Sequence, residues 1–278
     1  MGFRINTNVA AIKGMHSLVR TNAGLSNNYN RLSTGLRINK AADDSAGLGV
    51  SESLRSEIRG MKQAQRNAND GISIIQTAEG TLNEIQNNLQ RLRELAVQAA
   101  SETLASTERA YIETEADQLA DEIDRLANNA EFNGINLLGD ANTSTIAVQV
   151  GAGVATATNQ ITITLSSSTA SALAVGSATL NLSTAGGALT AITALDTALD
   201  SVSSQRATLG ALQNRLTSAT NALANAIENL SSAESQIRDV DFAEETAEMS
   251  KNSVLQQSGV SVLAQANSSN QAVLKLLG

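Results

Sequence analysis

Apolar residues recur every seventh position along two long stretches of this 278-residue chain. In the first stretch Leu54, Met61, Ala68, Ile75, Leu82, Leu89 and Ala96 form one row, and Ala78, Ile85, Leu92 and Ala99 form a companion row three residues on. In the second, Leu195, Val202, Leu209, Leu216, Leu223, Leu230 and Ile237 repeat the spacing, with Leu212, Ala219, Ala226, Ala233 and Val240 beside them. Two such rows make a coiled-coil seam, because a period of 3.5 keeps both facing a partner helix. A helix from Leu54 to Ala99 would be roughly 70 Å long at 1.5 Å per residue. A compact chain of this length has a radius of gyration of about 19 Å, so the pattern predicts a rod. The fold class expected is mainly α, an elongated coiled-coil helical bundle. A shorter helix striped by Ile112, Ala116, Leu119, Ile123, Leu126 and Ala130 lies between the long ones and ends near the turn dipeptide Asn133-Gly134.

Both ends carry further amphipathic helices. Ile12, Met15, Leu18, Leu25, Tyr29, Leu32 and Leu36 share one face near the N-terminus, and Leu255, Val262, Ala266, Val273 and Leu276 share one near the C-terminus. Polar residues such as Asn22 and Ser269 interrupt these stripes. Isolated helices are marginal in water, so the termini are expected to order on each other and on neighbouring copies. The middle differs in kind. Residues 142–187 are rich in Ser, Thr, Ala and Gly and almost uncharged. Ile146, Val148 and Val150 alternate with polar or small residues, as do Ile161, Ile163 and Leu165, which reads as two short strands joined across Gly151–Asn159. This small β-hairpin element is expected to face solvent, with Ser166, Ser167, Ser168 and Thr169 as candidate O-glycan acceptors. The expected division is a terminal coiled coil (1–40 with 241–278), a long helical rod (41–140 with 188–240) and a Ser/Thr-rich β element (141–187).

Composition sharpens this picture. Proline is absent, where a chain this long would carry about 14 at average usage; proline clashes with the preceding helical turn and removes a donor. Two tyrosines, three phenylalanines and no tryptophan leave the 42% apolar content to aliphatic residues, which suit helix seams better than a thick aromatic core. The absence of cysteine excludes disulfides and thiolate metal sites. A formal net charge of −8 without a dense Lys/Arg run argues against nucleic-acid binding. No apolar run approaches the roughly 20 residues that span a bilayer, so no membrane insertion is expected. The opening MGFRINTNVAAIKG has no apolar core ahead of a cleavage site, so a secretory signal peptide is not expected.

Candidate chemistry is sparse. His16 is the single histidine, and a metalloprotease H-E-x-x-H motif needs two; a surface or interface role suits it better. Asp43-Asp44 reads as a cap for the helix that follows, since carboxylates favour helix N-termini. No phosphate-binding loop or calcium-loop spacing appears, so neither catalysis nor a cofactor or metal is expected. Arg91, Arg93 and Glu94 read as a solvated face with intrahelical pairing.

Long collinear stretches resemble bacterial flagellins. The opening FRINTNVAA, residues 31–60 (RLSTGLRINKAADDSAGLGVSESLRSEIRG), residues 89–98 (LQRLRELAVQ) and residues 132–139 (FNGINLLG) are similar to family motifs. So are residues 214–245 (NRLTSATNALANAIENLSSAESQIRDVDFAEE) and the closing AQANSSNQAVLKLLG. The resemblance implies a non-enzymatic structural subunit that self-assembles into the extracellular flagellar filament for motility, a homopolymer with helical symmetry. It implies terminal assembly helices carrying Leu18, Leu25, Leu32, Leu255, Val262, Val273 and Leu276, which line the filament lumen. The implied partners are the flagellar type III export apparatus, an export chaperone, the filament cap protein and a vertebrate flagellin-sensing Toll-like receptor. Arg91, Leu95 and Glu115 match the family's receptor-binding and subunit-packing residues. Many flagellins carry large outer domains where this chain has its short Ser/Thr-rich segment. A hook–filament junction protein, which shares the terminal helices, is the alternative; LQRLRELAVQ with FNGINLLG favours flagellin.

Overall fold

The computed structural model describes residues 7–140, 145–177 and 179–275, with side chains of the last helix described through residue 268. Among these residues the order is α1 (Val9–Thr34), α2 (Ser45–Ala99), α3 (Ser106–Asn129), β1 (Glu131–Phe132), β2 (Ile135–Asn136), β3 (Thr145–Gln149), α4 (Thr156–Asn159), β4 (Gln160–Thr164), α5 (Ala185–Arg238) and α6 (Phe242–Lys275). The chain is mainly helical, with small antiparallel hairpins in its middle, and it divides into two compact units. Unit 1 is Met1–Ser56 with Asn229–Gly278; unit 2 is Glu57–Glu228.

Unit 2 holds the apolar core. Ala68, Ile75, Leu82, Leu89 and Ala96 of α2 are fully enclosed or nearly so, and so are their companions Ala78, Ile85, Leu92 and Ala99. Leu195, Val202, Leu209, Leu212 and Leu216 of α5 join the same cluster. Both seams therefore exist over this span, while Leu54, Met61, Leu230 and Ile237 at the outer ends of the predicted rows are half-buried. The α3 stripe is buried through Ile112, Ala116, Ala120, Ile123 and Ala127, while Leu119 and Leu126 sit half-buried at its edge.

Local chemistry sets the helix ends. The Asn8 side chain caps α1 by accepting from Ala11 N–H at 3.0 Å. Gly35 ends α1 at φ 72°, donating its N–H to Arg31 C=O at 2.8 Å; a side chain would strain this left-handed position. The two aspartates ahead of α2 divide their labour. Asp44 caps the helix through Gly47 N–H at 2.9 Å, whereas Asp43 closes the preceding turn through Asn39 and Lys40 N–H. Those two donors hold the Asp43 carboxyl below its ordinary range. Ahead of α3, Glu108 accepts from Ala105 N–H at 3.0 Å.

Asn133 and Gly134 have φ of 51° and 77°, the left-handed pair that a two-residue hairpin requires. They join β1 to β2 as a hairpin of their own rather than ending α3, which stops at Asn129. The second hairpin pairs Thr145 with Thr164 through Gln149 with Gln160. Val148, Ile161 and Ile163 turn inward and Ile146 is half-buried, as the alternation predicts.

The stretch after β4 departs from expectation. It is not a solvated loop: Ser168 and Thr169 are 0% and 1% exposed, and Ala170, Leu173, Val175, Leu180 and Leu182 belong to the core. Hydroxyl-rich sequence reads as solvent-facing, yet here the hydroxyls have internal partners. Thr169 and Ser167 donate to Asp140 Oδ1 at 2.5 and 3.1 Å, and Ser168 donates to Gln205 Oε1 at 2.9 Å. Asp124 Oδ1 accepts from Ala170 N–H at 2.7 Å. As glycan acceptors Ser168 and Thr169 are therefore inaccessible, and Ser167 is half-buried and occupied.

The Asp140 nest has a pH signature. Thr169 first, then Ser167 and Ser171, hold the Asp140 carboxyl below its ordinary value of 3.8. A depressed carboxyl contributes stability above its unfolded value and loses it as pH falls through the folded value. The Asp140→Asn chain should melt below the parent at neutral pH, with the two midpoints converging below pH 3.8. Calorimetry across that range checks it, and a gap independent of pH would mean that the carboxylate charge is irrelevant to the nest.

Candidate assembly surface

Helices α1 and α6 run antiparallel and form the coil of unit 1. The residues of α1 turned toward α6 are Ala11, Gly14, Leu18, Thr21, Leu25, Asn28 and Leu32; those of α6 are Glu245, Met249, Asn252, Gln256, Gly259, Leu263 and Ala266. Both series step alternately by three and four, the spacing of a two-row seam. A Cβ added at Gly14 would come within 3.1 Å of Leu263, and one at Gly259 within 3.3 Å of Leu18, so a glycine on each helix lets the backbones approach in the first half of α1.

Leu18, Leu25 and Leu32 thus lie on the seam as half-buried residues. Leu255 and Val262 do not: they are 49% and 60% exposed on another face of α6. Their seven-residue spacing is genuine, but the row that meets α1 is the more polar one, and apolar counting alone selects the wrong stripe for that contact. Val273 has no described side chain, and Leu276 lies outside the described residues. On α1, Val9, Ile12, Met15, Val19 and Tyr29 are likewise exposed, and so are Val254 and Val260 on α6. His16 is exposed on α1. Among the described residues of unit 1, full burial is confined to Asn28, Ile38, Ser51 and Glu245.

The connectors between helices are tied within unit 1. Arg37 N–H donates to Arg238 C=O at 2.7 Å and Val240 N–H to Gly35 C=O at 3.0 Å. The Arg37 guanidinium adds a bond to Ile237 C=O at 2.6 Å. Arg238 lies 2.7 Å from Glu52 and holds that carboxyl below its ordinary range. These bonds fix where α1 and α6 leave their connectors.

In unit 2 the structure brings Arg91 and Glu115 together. Arg91 Nη2 and Nε donate to Glu115 Oε1 at 2.8 and 3.2 Å, and Nη1 donates to Glu94 Oε2 at 3.0 Å. Glu115 first, then Glu94, raises the Arg91 guanidinium above its ordinary value. Arg93 is held by Asp196 at 2.6 Å. Leu95 is a correction to the surface reading: it is 2% exposed and belongs to the core. It falls three residues after Leu92 and one before Ala96, beside the two buried rows and in neither of them. The exposed apolar neighbour is Val97, which borders an open depression of about 490 Å³ with Gln90, Arg93 and Glu94.

Among the described residues no group of three or more His, Cys, Asp or Glu side chains could hold a metal ion. No described helix is long and apolar enough to cross a membrane. A two-helix coil with apolar residues left outside, joined to a well-packed helical unit, defines the class: a subunit whose surfaces are shaped for other copies or partners.

The family follows from comparison with known proteins. The model for the bacterial flagellin N-terminal helical region matches residues 5–143, and that for the C-terminal helical region matches residues 192–277. The chain belongs to the bacterial flagellin family. It is 44% identical to a flagellar filament 33 kDa core protein from Treponema phagedenis, over 98% of this chain and 99% of that one. The crystal structure of Bacillus cereus flagellin superposes with a TM-score of 0.50 at 35% identity, over 56% of this chain and 88% of that one. A structure described as a flagellar hook-associated protein from Vibrio parahaemolyticus gives a TM-score of 0.60, covering 71% of this chain and all of that one. At 15% identity it shows the fold alone.

Proposed function

We propose that this chain is the structural subunit of an extracellular bacterial flagellar filament, a homopolymer that serves motility without catalysis. The observation that carries the reading is the outward apolar surface of the α1–α6 coil, including Ile12, Met15, Val19, Leu255 and Val262. Neighbouring copies cover it, removing apolar area from water at about 25 cal/mol per Å². In the filament the terminal segments 1–40 and 241–278 form the inner coil and residues 41–140 and 188–240 the surrounding helical shell, with 141–187 as a β element whose inward residues share that shell's core. The short middle segment leaves no large outer domain.

Delivery is by the flagellar type III export apparatus with an export chaperone, and growth occurs beneath a filament cap protein. A chain without cysteine has no disulfide to form before it is threaded unfolded. Near-full-length identity to a filament core protein supports flagellin over the hook–filament junction alternative. Electron microscopy of purified chain tests the choice: long tubes support flagellin, and persistent short oligomers under polymerising conditions count against it.

The Arg91–Glu115 patch serves both subunit packing and a vertebrate flagellin-sensing Toll-like receptor. Arg91 offers a rigid multi-donor fork that is half-exposed and already oriented by two carboxylates. Free monomer should signal, and filament weakly, because the patch is covered. Arg91→Ala should reduce receptor-reporter signalling about tenfold or more and slow sedimentation of filament. Full signalling by the Arg91→Ala monomer would break the receptor assignment.

A further inference from the structure

We infer that a polar ladder across α1 and α6 sets the register of the terminal coil. Its centre is Asn28, 4% exposed, and Glu245, 7% exposed. Asn28 Nδ2 donates to Glu245 Oε1 at 2.6 Å, and Asn252 Nδ2 donates to Asn28 Oδ1 at 2.9 Å, so the Asn28 amide is engaged at both ends. Arg31 Nη1 lies 3.6 Å from the other Glu245 oxygen. Further along, Gln256 Nε2 donates to Asn22 Oδ1 at 2.8 Å.

The apolar rows set this register only weakly. One row of α1 is Ala11, Leu18, Leu25 and Leu32, so a slip of one heptad replaces leucine by leucine at two positions and by alanine at one. The polar residues do discriminate. A slip that carries Gly259 from Leu18 to Ala11 carries Glu245 from Asn28 to Thr21, between Leu18 and Leu25. There its carboxylate loses both the Asn28 amide and Arg31 at a half-buried position. The opposite slip carries Glu245 to Gly35, past the end of α1, and leaves Asn28 with neither partner. Buried polar groups without partners are costly, and a single polar seam residue is enough to fix coiled-coil register. The ladder lowers stability relative to leucine, as buried polar groups commonly do, and in exchange selects one pairing. This inference concerns the pairing of α1 with α6 inside one chain, whether or not neighbouring copies cover that coil.

The chain has no cysteine, so engineered pairs read register directly in the full-length protein. Leu18→Cys with Gly259→Cys reports the observed pairing, and Ala11→Cys with Gly259→Cys reports the slipped one. With the ladder intact, intrachain disulfide should form in the first pair and not in the second. In the Asn28→Leu, Glu245→Leu, Asn252→Leu background the slipped pair should close to an extent comparable with the first. A second variant keeps the amide but moves it one heptad: Thr21→Asn with Asn28→Leu should favour the slipped pair. If the leucine background closes the observed pair alone, and the moved amide does the same, glycine packing sets the register and the inference fails. Equal closure of both pairs with the ladder intact overturns it too. Sedimentation of the unsubstituted parent reads polymerisation separately, so a parent chain that never pellets counts against the filament reading and leaves the ladder standing.

Discussion

Deletion of residues 255–278 is expected to abolish sedimentable filament while leaving unit 2 folded. The cut removes Gln256, Gly259, Leu263 and Ala266, the α6 residues that meet Asn22, Leu18, Gly14 and Asn8 of α1. It also removes Val260 and Val262 from the outward apolar surface. The N-terminal half of α1 then has no helix to pack on. A helix of 26 residues whose seam includes Gly14 and Thr21 is marginal without one. Unit 2 keeps its whole core, because Glu57–Glu228 contains none of the deleted residues. Circular dichroism should therefore show helix lost from α1 and α6 and a retained cooperative transition from unit 2. Sedimentation under polymerising conditions reads assembly. Pelleting by the truncated chain at the parent's level would sink the assignment of the coil to assembly.

Much of this organisation is legible in the sequence because heptad spacing reports a local property, the face a helix buries. Leu82, Leu89, Leu195 and Leu216 are buried where their period places them. The hairpin β3–β4 was legible for the same reason, with period two in place of seven. Three features were not. The α6 row facing α1 contains Glu245, Asn252 and Gln256, and a search for apolar residues passes over a polar seam. Leu95 reads as part of a surface motif because it lies in neither heptad row, yet it is buried beside them. Ser168 and Thr169 are buried because Gln205 and Asp140 receive their hydroxyls, and partners that distant in sequence leave no local pattern.

Leu216→Ala should be strongly destabilising. Leu216 is 0% exposed, and its Cδ1 lies 3.3 Å from where a Cβ on Gly71 would stand. Its methyl groups thus press on the α2 backbone beside Val148, which crowds the same glycine. That backbone cannot collapse readily into the space left behind. Truncation of a leucine in such a site costs about 2–5 kcal/mol. For a unit of this size the corresponding fall in melting midpoint is roughly 5–15 °C. Leu230, two heptads further along the same row, supplies the internal control. It is half-buried within the chain, so Leu230→Ala should move the soluble subunit's midpoint by well under half as much. In the filament the order changes if neighbouring copies cover the unit 1 seam: Leu230→Ala should then weaken filament against heat more than it weakens the subunit. Scanning calorimetry on monomer and filament of both variants separates the cases. Equal shifts for the two monomers would mean that the row is buried uniformly and that unit 1 does not need other copies to close it.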